Sequence, residues 1–205
     1  SWQARHRRTK AQRAATRLRV LVPDSYDPGR SYRTVYVLPT EPGNGTSYGD
    51  GLQVIRAANL QNSCDTIFVA PSFCDMPWYA DHPTQQTLRQ ESHLLKVVIP
   101  FVEARFAVST RPADRILLGF SKSGYGAFSL LLRHPDVFGK AVAFDAPLAL
   151  GGMRADWGMP AIYGTNATFA NYRVTGLIDR QAAALAGGLA RLILAGANTF
   201  RADHP

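Results

Sequence analysis

The sequence has few cysteines, and their placement decides little about disulfide bonding. Among its 205 residues only Cys64 and Cys74 are cysteine, with the segment DTIFVAPSF between them. That segment begins as an apolar strand. A strand of five residues separates its ends by about 17 Å, beyond disulfide reach unless the chain folds straight back. Free thiols and a loose bridge therefore both remain open.

Metal-ligand patterns and long apolar runs are also lacking. Neither cysteine has metal-ligand spacing and the five histidines are scattered, so the sequence predicts no metal site and no cofactor. No apolar run approaches the roughly 18 residues that span a bilayer, so no membrane span is expected. No signal-peptide pattern is visible, and the sequence starts at Ser1 without a methionine, as that of a processed secreted protein would. A secreted or periplasmic location is preferred to the cytoplasm, although nothing in the sequence decides it.

Acidic residues are missing from the first part of the chain. The net charge is +8, and seven basic residues precede the first acid, Asp24: Arg5, Arg7, Arg8, Lys10, Arg13, Arg17 and Arg19. Beyond them, sixteen basic and fifteen acidic residues nearly cancel. A basic arm can bind polyanions, but no helix-turn-helix, zinc-finger or aromatic RNA-binding signature accompanies it. Residues 1–15 are therefore predicted to be a basic arm or a solvated edge strand, with no nucleic-acid partner.

Strand and helix patterns alternate through the rest of the chain, and residues 16–205 are expected to form a single domain. Strand patterns cover residues 16–22, 34–38, 66–70, about 115–120, 141–144 and 192–194. Helix patterns cover residues 52–60, 87–106, 122–133 and 177–186. This order predicts an α/β fold, a mostly parallel sheet with helices on both faces. Function in such sheets collects at the carboxyl ends of strands, here in the loops beginning at Pro39, Pro71, Ser121, Asp145 and Ala195.

One of these loops carries a chemical motif. Residues 115–131 read RILLGFSKSGYGAFSLL, an apolar strand, a glycine-flanked serine and an apolar helix. A serine hydrolase holds its nucleophile in such a strand-to-helix turn, with small residues two before and two after it. Gly119 and Ser123 occupy those positions around Ser121. Ser123 is the poorer nucleophile candidate, because Tyr125 stands where a small residue is wanted.

Longer stretches resemble a known family. The run YDPGRSYRTVYVLP resembles the opening of the esterase family of α/β-hydrolases that includes esterase D and feruloyl esterases, and GFSKSGYGAFSLLLRHPDVFGKAVAFDAPL is similar to its elbow, elbow helix and following strand. WYADHP and RQESHLLKVVIPFVEARF are similar to a bacterial branch of that family. The resemblance covers about residues 17–204. It implies an α/β-hydrolase fold and a serine carboxylesterase acting on acyl or aroyl esters through an acyl-Ser121 intermediate. Those esters include carbohydrate-linked and feruloyl-type ones. The shortness of the chain, with no lid domain and hence an open cleft, adds aromatic polyesters to the expected substrates.

Two departures from the family pattern affect these expectations. Pro39, Thr40 and Glu41 replace the His-Gly that is common at the oxyanion loop. The sequence also ends at Pro205, just after the strand that corresponds to the seventh of the fold. The fold is therefore expected to lack its last strand and helix. An exposed sheet edge of this kind would favour a homodimer.

Roles for the remaining site residues follow from the triad and oxyanion-hole pattern. The backbone N–H of Lys122 and one from Thr40 or Glu41 are expected to form the oxyanion hole. Trp78 and Tyr79 are candidate substrate-binding aromatics of the cleft wall, with core packing as the alternative.

The acid and the base have competing candidates. Asp145 follows the strand after the elbow and is preferred as the acid, with Asp203 as the alternative. His82, in the WYADHP loop, and His204, near the end of the sequence, are alternative bases; His6 belongs to the arm, and His93 and His134 lie on predicted helices. The preferred explanation is a catalytic histidine beyond Pro205. A non-catalytic homologue that serves as a binding or scaffold module is the competing functional hypothesis.

Overall fold

The computed structural model describes residues 17–43, 46–185 and 190–196. Within them, six strands form one sheet in the order β1-β3-β2-β4-β5-β6. The strands are β1 (Leu18–Leu21), β2 (Arg33–Leu38), β3 (Thr66–Pro71), β4 (Arg115–Phe120), β5 (Lys140–Phe144) and β6 (Leu192–Ala195). β1 pairs antiparallel with β3, and every other pairing is parallel. The mostly parallel α/β sheet predicted from the sequence is confirmed.

The register of the central strands brings their carboxyl ends to one level. Leu38 of β2 lies beside Gly119 of β4, and Phe120 of β4 lies beside Phe144 of β5. Because parallel neighbours end at the same edge of a sheet, the residues that follow β2, β4 and β5 are brought together. Those residues include Ser121 and Asp145.

Eight α-helices lie in the described residues, one of them extended by a π-helical turn. They are α1 (Gly51–Ala57), α2 (Leu60–Ser63), α3 (Gln90–His93) with the π turn Leu94–Val98, α4 (Ile99–Arg105), α5 (Lys122–Arg133), α6 (Met159–Tyr163), α7 (Asn166–Tyr172) and α8 (Val174–Leu185). Short 3-10 turns span Pro112–Asp114 and Ala155–Trp157. None of these described helices has both the length and the apolar character needed to cross a membrane.

Three helix predictions need correction. The helix predicted over residues 52–60 ends at Ala57, because Asn59 adopts a left-handed φ of 55° and a second helix starts after it. The long helix predicted from residue 87 begins at Gln90. The stretch between β5 and residue 177, predicted to be irregular, contains α6, α7 and the first turn of α8, which bury aromatic side chains without an obvious helical period.

Alternating side chains of the central strands build a core on each face of the sheet. Tyr36 and Leu117 belong to the large core, together with α5 and the aromatic residues of α6 and α7. Val35 and Phe68 belong to a smaller core that α1 covers with Leu52 and Ile55. Apolar residues on both faces of a strand are what a parallel sheet between two helical layers requires.

Candidate active site

Ser121 occupies the turn between β4 and α5 in a backbone conformation that non-glycine residues rarely adopt. Its φ and ψ are 52° and −125°. Such strain costs about 1–3 kcal/mol and persists only where the surroundings fix it. Gly119 is one such constraint, since a Cβ there would lie 2.2 Å from the carbonyl oxygen of Ser123. The turn therefore has the geometry of a nucleophile elbow, which presents the serine above the sheet.

Ser123, the second small residue of the motif, has a different role from Ser121. Its side chain is fully buried, and its Oγ accepts from the Phe120 N–H at 2.9 Å and donates to the Phe120 carbonyl at 2.8 Å. The hydroxyl thus bridges both backbone groups of the residue before Ser121. A serine engaged in this way stabilises the turn and is not available for attack.

Asp145 lies directly beside the elbow. The Ser121 N–H donates to the carbonyl of Phe144 at 3.0 Å, so Ser121 and Asp145 follow paired residues of adjacent strands. Asp145 also has a left-handed φ, 47°. Its Oδ1 is buried and has no hydrogen-bond partner among the described residues. A buried polar atom without a partner costs about 1–3 kcal/mol, so this oxygen is a position where a donor would bind favourably.

The loop after β2 contacts both the loop after β3 and the elbow. The Tyr79 hydroxyl donates to the Pro39 carbonyl at 2.6 Å, and Thr40 Oγ1 donates to the Phe120 carbonyl at 3.4 Å. The Lys122 ammonium forms an ion pair with Glu41, with 2.6 Å between Nζ and Oε1. The structure thus brings together Thr40, Glu41 and Lys122, the three residues that carry the predicted oxyanion donors.

Trp78 and Tyr79 are in the core and not on a cleft wall. Both side chains are 0% exposed, so the alternative of core packing applies to them in this structure. Gln90 fixes their backbone, because its Oε1 accepts from the N–H groups of both residues at 3.0 and 2.9 Å. The Tyr79 ring fits only because residue 126 is glycine; a Cβ there would lie 2.1 Å from the ring.

The histidines in the described part of the chain have contacts with residues other than Ser121. The buried His82 accepts at Nδ1 from the N–H groups of Thr84 and Gln85, at 3.2 and 3.0 Å. His134 hydrogen-bonds to Glu91, and the His93 ring packs edge-on against Phe73. His82 thus hydrogen-bonds within its own loop, and no described hydrogen bond joins it to Ser121.

Several predicted features lie outside the described residues: the arm over residues 1–15, His6, Asp203 and His204. Cys64 and Cys74 are both exposed, and no disulfide joins them. No cluster of three or more metal-ligating side chains occurs in the part of the chain that the structure describes.

Sequence reasoning missed two supports of the site, the Tyr79 hydroxyl and the Lys122–Glu41 ion pair. The pair had a signal, because Glu41 and Lys122 have opposite charges and both follow carboxyl ends of predicted strands. Knowing that β2 and β4 are neighbours in the sheet was the missing step. Tyr79 had no comparable signal, since an aromatic loop residue fits a cleft wall and a core equally well.

Comparison with known proteins identifies a family. A family model described as "Putative esterase" matches residues 10–188, most of the chain. A search of curated proteins found no significant match.

Several solved structures share the fold at low sequence identity. Fluorophosphonate-binding serine hydrolase F (FphF) of Staphylococcus aureus aligns with a TM-score of 0.65 and 19% identity, over 91% of this chain and 75% of that one. An S-formylglutathione hydrolase from Agrobacterium tumefaciens aligns with a TM-score of 0.66 and 13% identity, over 88% and 79% of the two chains. A ferulic acid esterase aligns with a TM-score of 0.59 and 20% identity, over 82% and 68%.

Proposed function

Because this chain belongs to the Putative esterase family, we propose that it is a serine carboxylesterase that forms an acyl-Ser121 intermediate and releases the acyl group to water. The family supports ester hydrolysis as the general reaction. The elbow supports Ser121 as the residue that carries it. Position, strain and access all distinguish this serine from Ser123, two residues along the chain.

The observation that carries the proposal is the pair of strained residues at the ends of two adjacent strands. Ser121 and Asp145 both have positive φ and lie side by side. Two left-handed non-glycine residues in one place are costly, and strain of this kind concentrates at functional sites. Asp145 Oδ1 is buried and unpaired among the described residues, which supports its proposed role as the acceptor of an imidazole N–H.

In the proposed reaction Ser121 Oγ attacks the ester carbonyl carbon while a histidine removes its proton. The tetrahedral oxyanion accepts hydrogen bonds from the backbone N–H of Lys122 and from that of Thr40 or Glu41. Lys122 is the first residue of α5, so its N–H has no acceptor within the helix. The protonated histidine then gives its proton to the leaving alcohol, and it activates water for the deacylation step.

The proposed base is an imidazole that docks on Asp145 from outside the described residues. His204 is the candidate within this sequence, since the described histidines have their own partners. A histidine beyond Pro205 would serve in the same way. His204→Gln, with His82→Gln as its control, separates these two sources. A fall in kcat in His204→Gln alone assigns the base to His204, whereas wild-type kcat in both variants assigns it to a histidine beyond Pro205.

Aromatic side chains beside the elbow support aroyl esters as substrates. Phe120 and Phe144, the residues before Ser121 and Asp145, have ring centroids 5.0 Å apart. Tyr48 lies 6.4 Å from the Phe120 ring and is 71% exposed. Aromatic acyl groups pack well on such surfaces. A Tyr48→Ala variant should therefore lose more kcat/KM on a feruloyl ester than on an acetyl ester.

The test of the central proposal is hydrolysis of p-nitrophenyl esters by wild type, Ser121→Ala and the matched variant Ser123→Ala. Ser121→Ala should abolish turnover and labelling by a fluorophosphonate probe, whereas Ser123→Ala should still be labelled. Equal turnover in wild type and Ser121→Ala would remove Ser121 from the mechanism. A wild-type protein that the probe never labels would favour the non-catalytic binding module instead.

A further inference from the structure

The side chain of Lys122 joins three loops at the carboxyl edge of the sheet. Its Nζ lies 2.6 Å from Glu41 Oε1, in the loop after β2, and 3.1 Å from Met76 Sδ, in the loop after β3. Lys122 itself belongs to the elbow. The ion pair is largely shielded from water, with 16% of the lysine side chain and 17% of the glutamate side chain exposed.

The charge of Lys122 is placed against the preference of its own helix. Lys122 begins α5, and the N-terminus of a helix carries a partial positive charge that disfavours cations. A lysine here therefore contributes nothing favourable to the helix, and a carboxylate from another segment is needed to offset it. Glu41 supplies that carboxylate across the sheet edge, 81 residues away in sequence.

Lys122 and Glu41 also belong to the two backbone segments that form the proposed oxyanion hole. One donor is the N–H of Lys122 itself, and the other belongs to Thr40 or Glu41. Oxyanion donors act only when they lie within hydrogen-bond distance of the developing charge. A side-chain link between the two segments fixes the distance between their N–H groups.

We infer that the Lys122–Glu41 ion pair is a positioning device that holds the loop after β2 in register with the elbow and so sets the geometry of the oxyanion hole. The inference rests on the proposed function for its catalytic consequence, but not for the link itself.

The catalytic test compares Lys122→Met, Glu41→Gln and the double variant, which leave every backbone N–H in place. Each should lower kcat, by up to about 10²-fold for a displacement of about 1 Å, with KM unchanged. Affinity for a trifluoromethyl ketone, whose adduct with Ser121 carries an oxyanion, should fall by the same factor. The double variant should lose no more than either single variant, because the two side chains act as one unit.

The matched control is Glu103→Gln, which breaks the ion pair of Glu103 with Arg115. That pair has similar burial, with 24% and 11% of the side chains exposed, and lies at the amino end of β4. Glu103→Gln should leave kcat and the affinity for the ketone at wild-type values. Lys122→Arg, which can re-form the pair, should recover part of the lost kcat.

Hydrogen exchange of the backbone amides of Thr40, Glu41 and Gly43 tests the link without reference to activity. The exchange should be faster in Lys122→Met and in Glu41→Gln than in wild type or Glu103→Gln. If wild type hydrolyses no ester while this exchange still rises, the proposed function fails and the positioning role stands. Wild-type kcat in both variants, or unchanged exchange of the loop, overturns the positioning role whatever the reaction.

Discussion

The two ends of α5 are both held by ion pairs, and they serve opposite purposes. At its start, here called the elbow end, Ser121 is strained and Lys122 stands against the helix dipole. At its finish, here called the anchored end, Arg133 and His134 both contact the buried Glu91. A cation such as Arg133 at a helix C-terminus is favourable by about 0.3–1 kcal/mol. The elbow end therefore keeps a particular geometry at a cost in stability, whereas the contacts at the anchored end stabilise the fold.

The anchored end is a connected polar network inside the core. Glu91 accepts from Arg133 at 2.5 Å and from the Tyr172 hydroxyl at 2.7 Å, in addition to His134. Burial alone would raise the pKa of Glu91, but the His134 hydrogen bond and the Arg133 charge outweigh it, so its pKa lies below the ordinary 4.5. Burial and the Glu91 charge raise the pKa of Tyr172 to about 12, so this hydroxyl stays a donor.

Replacing Ser121, the strained serine, should have the largest effect: it should lower activity and increase stability. Glycine accepts the backbone angles of Ser121 without strain, so Ser121→Gly should raise the free energy of unfolding by about 1 kcal/mol. It should also lower kcat on the order of 10⁶-fold, since the nucleophile is gone. Urea unfolding and p-nitrophenyl ester turnover measure the two effects.

The control for this variant is Asn59→Gly, at another residue with positive φ, 55°, between α1 and α2. It should keep wild-type turnover. A Ser121→Gly protein that is less stable than wild type would mean that the elbow end stores no strain.

Neutralising the carboxylate beside the elbow should have the next largest effect on turnover. Asp145→Asn keeps the side-chain shape but orients an imidazole poorly, so kcat should fall by about 10⁴-fold. The free energy of unfolding should change little, because the Oδ1 of Asp145 has no partner to lose among the described residues.

Asp114→Asn is the matched control for the Asp145 variant. Asp114 is buried at the amino end of β4 and accepts from Ser109 at 2.6 Å and from Arg111 at 2.8 Å. Its replacement should reduce stability and leave kcat unchanged. The reverse pattern in the two variants would exclude Asp145 as the acid.

Removing the Glu91 carboxylate at the anchored end should lower the free energy of unfolding and leave kcat unchanged. Glu91→Gln leaves Arg133 without its buried partner, which costs about 3 kcal/mol. The kcat of the folded protein should match that of wild type, because Glu91 contacts neither Ser121 nor the loop after β2. Urea unfolding at neutral pH measures the loss, and a large fall in kcat at full folding would show that the two ends are coupled.

The loss of unfolding free energy in Glu91→Gln should become smaller as the pH falls. The pKa of Glu91 is lowered on folding, so its contribution is fully present above the ordinary value of 4.5 and is lost as the pH falls through the lowered pKa. The difference in unfolding free energy between wild type and Glu91→Gln should therefore shrink in acid. A difference that stays constant into strong acid would mean that Glu91 is not ionised in this network.

The elbow end was predictable from sequence because its determinants are local. The apolar strand, Gly119, Ser121 and the apolar helix are contiguous, and Asp145 follows directly on the next strand, so strand order alone places the two together. The anchored end was not predictable, because Glu91, Arg133 and Tyr172 come from three distant segments. Each of them also fits a solvated helix face.

The cleft-wall prediction for Trp78 and Tyr79 shows what local patterns cannot supply. Both follow a strand's carboxyl end, where site residues collect. In the fold Trp78 stacks on Trp157, and the Tyr79 ring packs against Gly126 of α5. These contacts come from distant segments, so nothing local indicated that the aromatic loop would be covered. Tyr79 thus became a support of the site instead of part of its surface.

The variant with the smallest expected effect, Tyr79→Phe, tests whether the Tyr79 hydroxyl influences the elbow end. Tyr79→Phe removes the hydroxyl that donates to the Pro39 carbonyl at 2.6 Å, and Tyr163→Phe removes one that donates to the Trp78 carbonyl at 3.3 Å. Each variant should lose about 1 kcal/mol of unfolding free energy, the net value of one hydrogen bond. Only Tyr79→Phe should also lower kcat, by several-fold, because Pro39 precedes the proposed oxyanion donors. If both variants keep wild-type turnover, the loop after β2 does not depend on the Tyr79 hydroxyl for its position, and its other contacts, including the ion pair of Lys122 with Glu41, are sufficient to hold it.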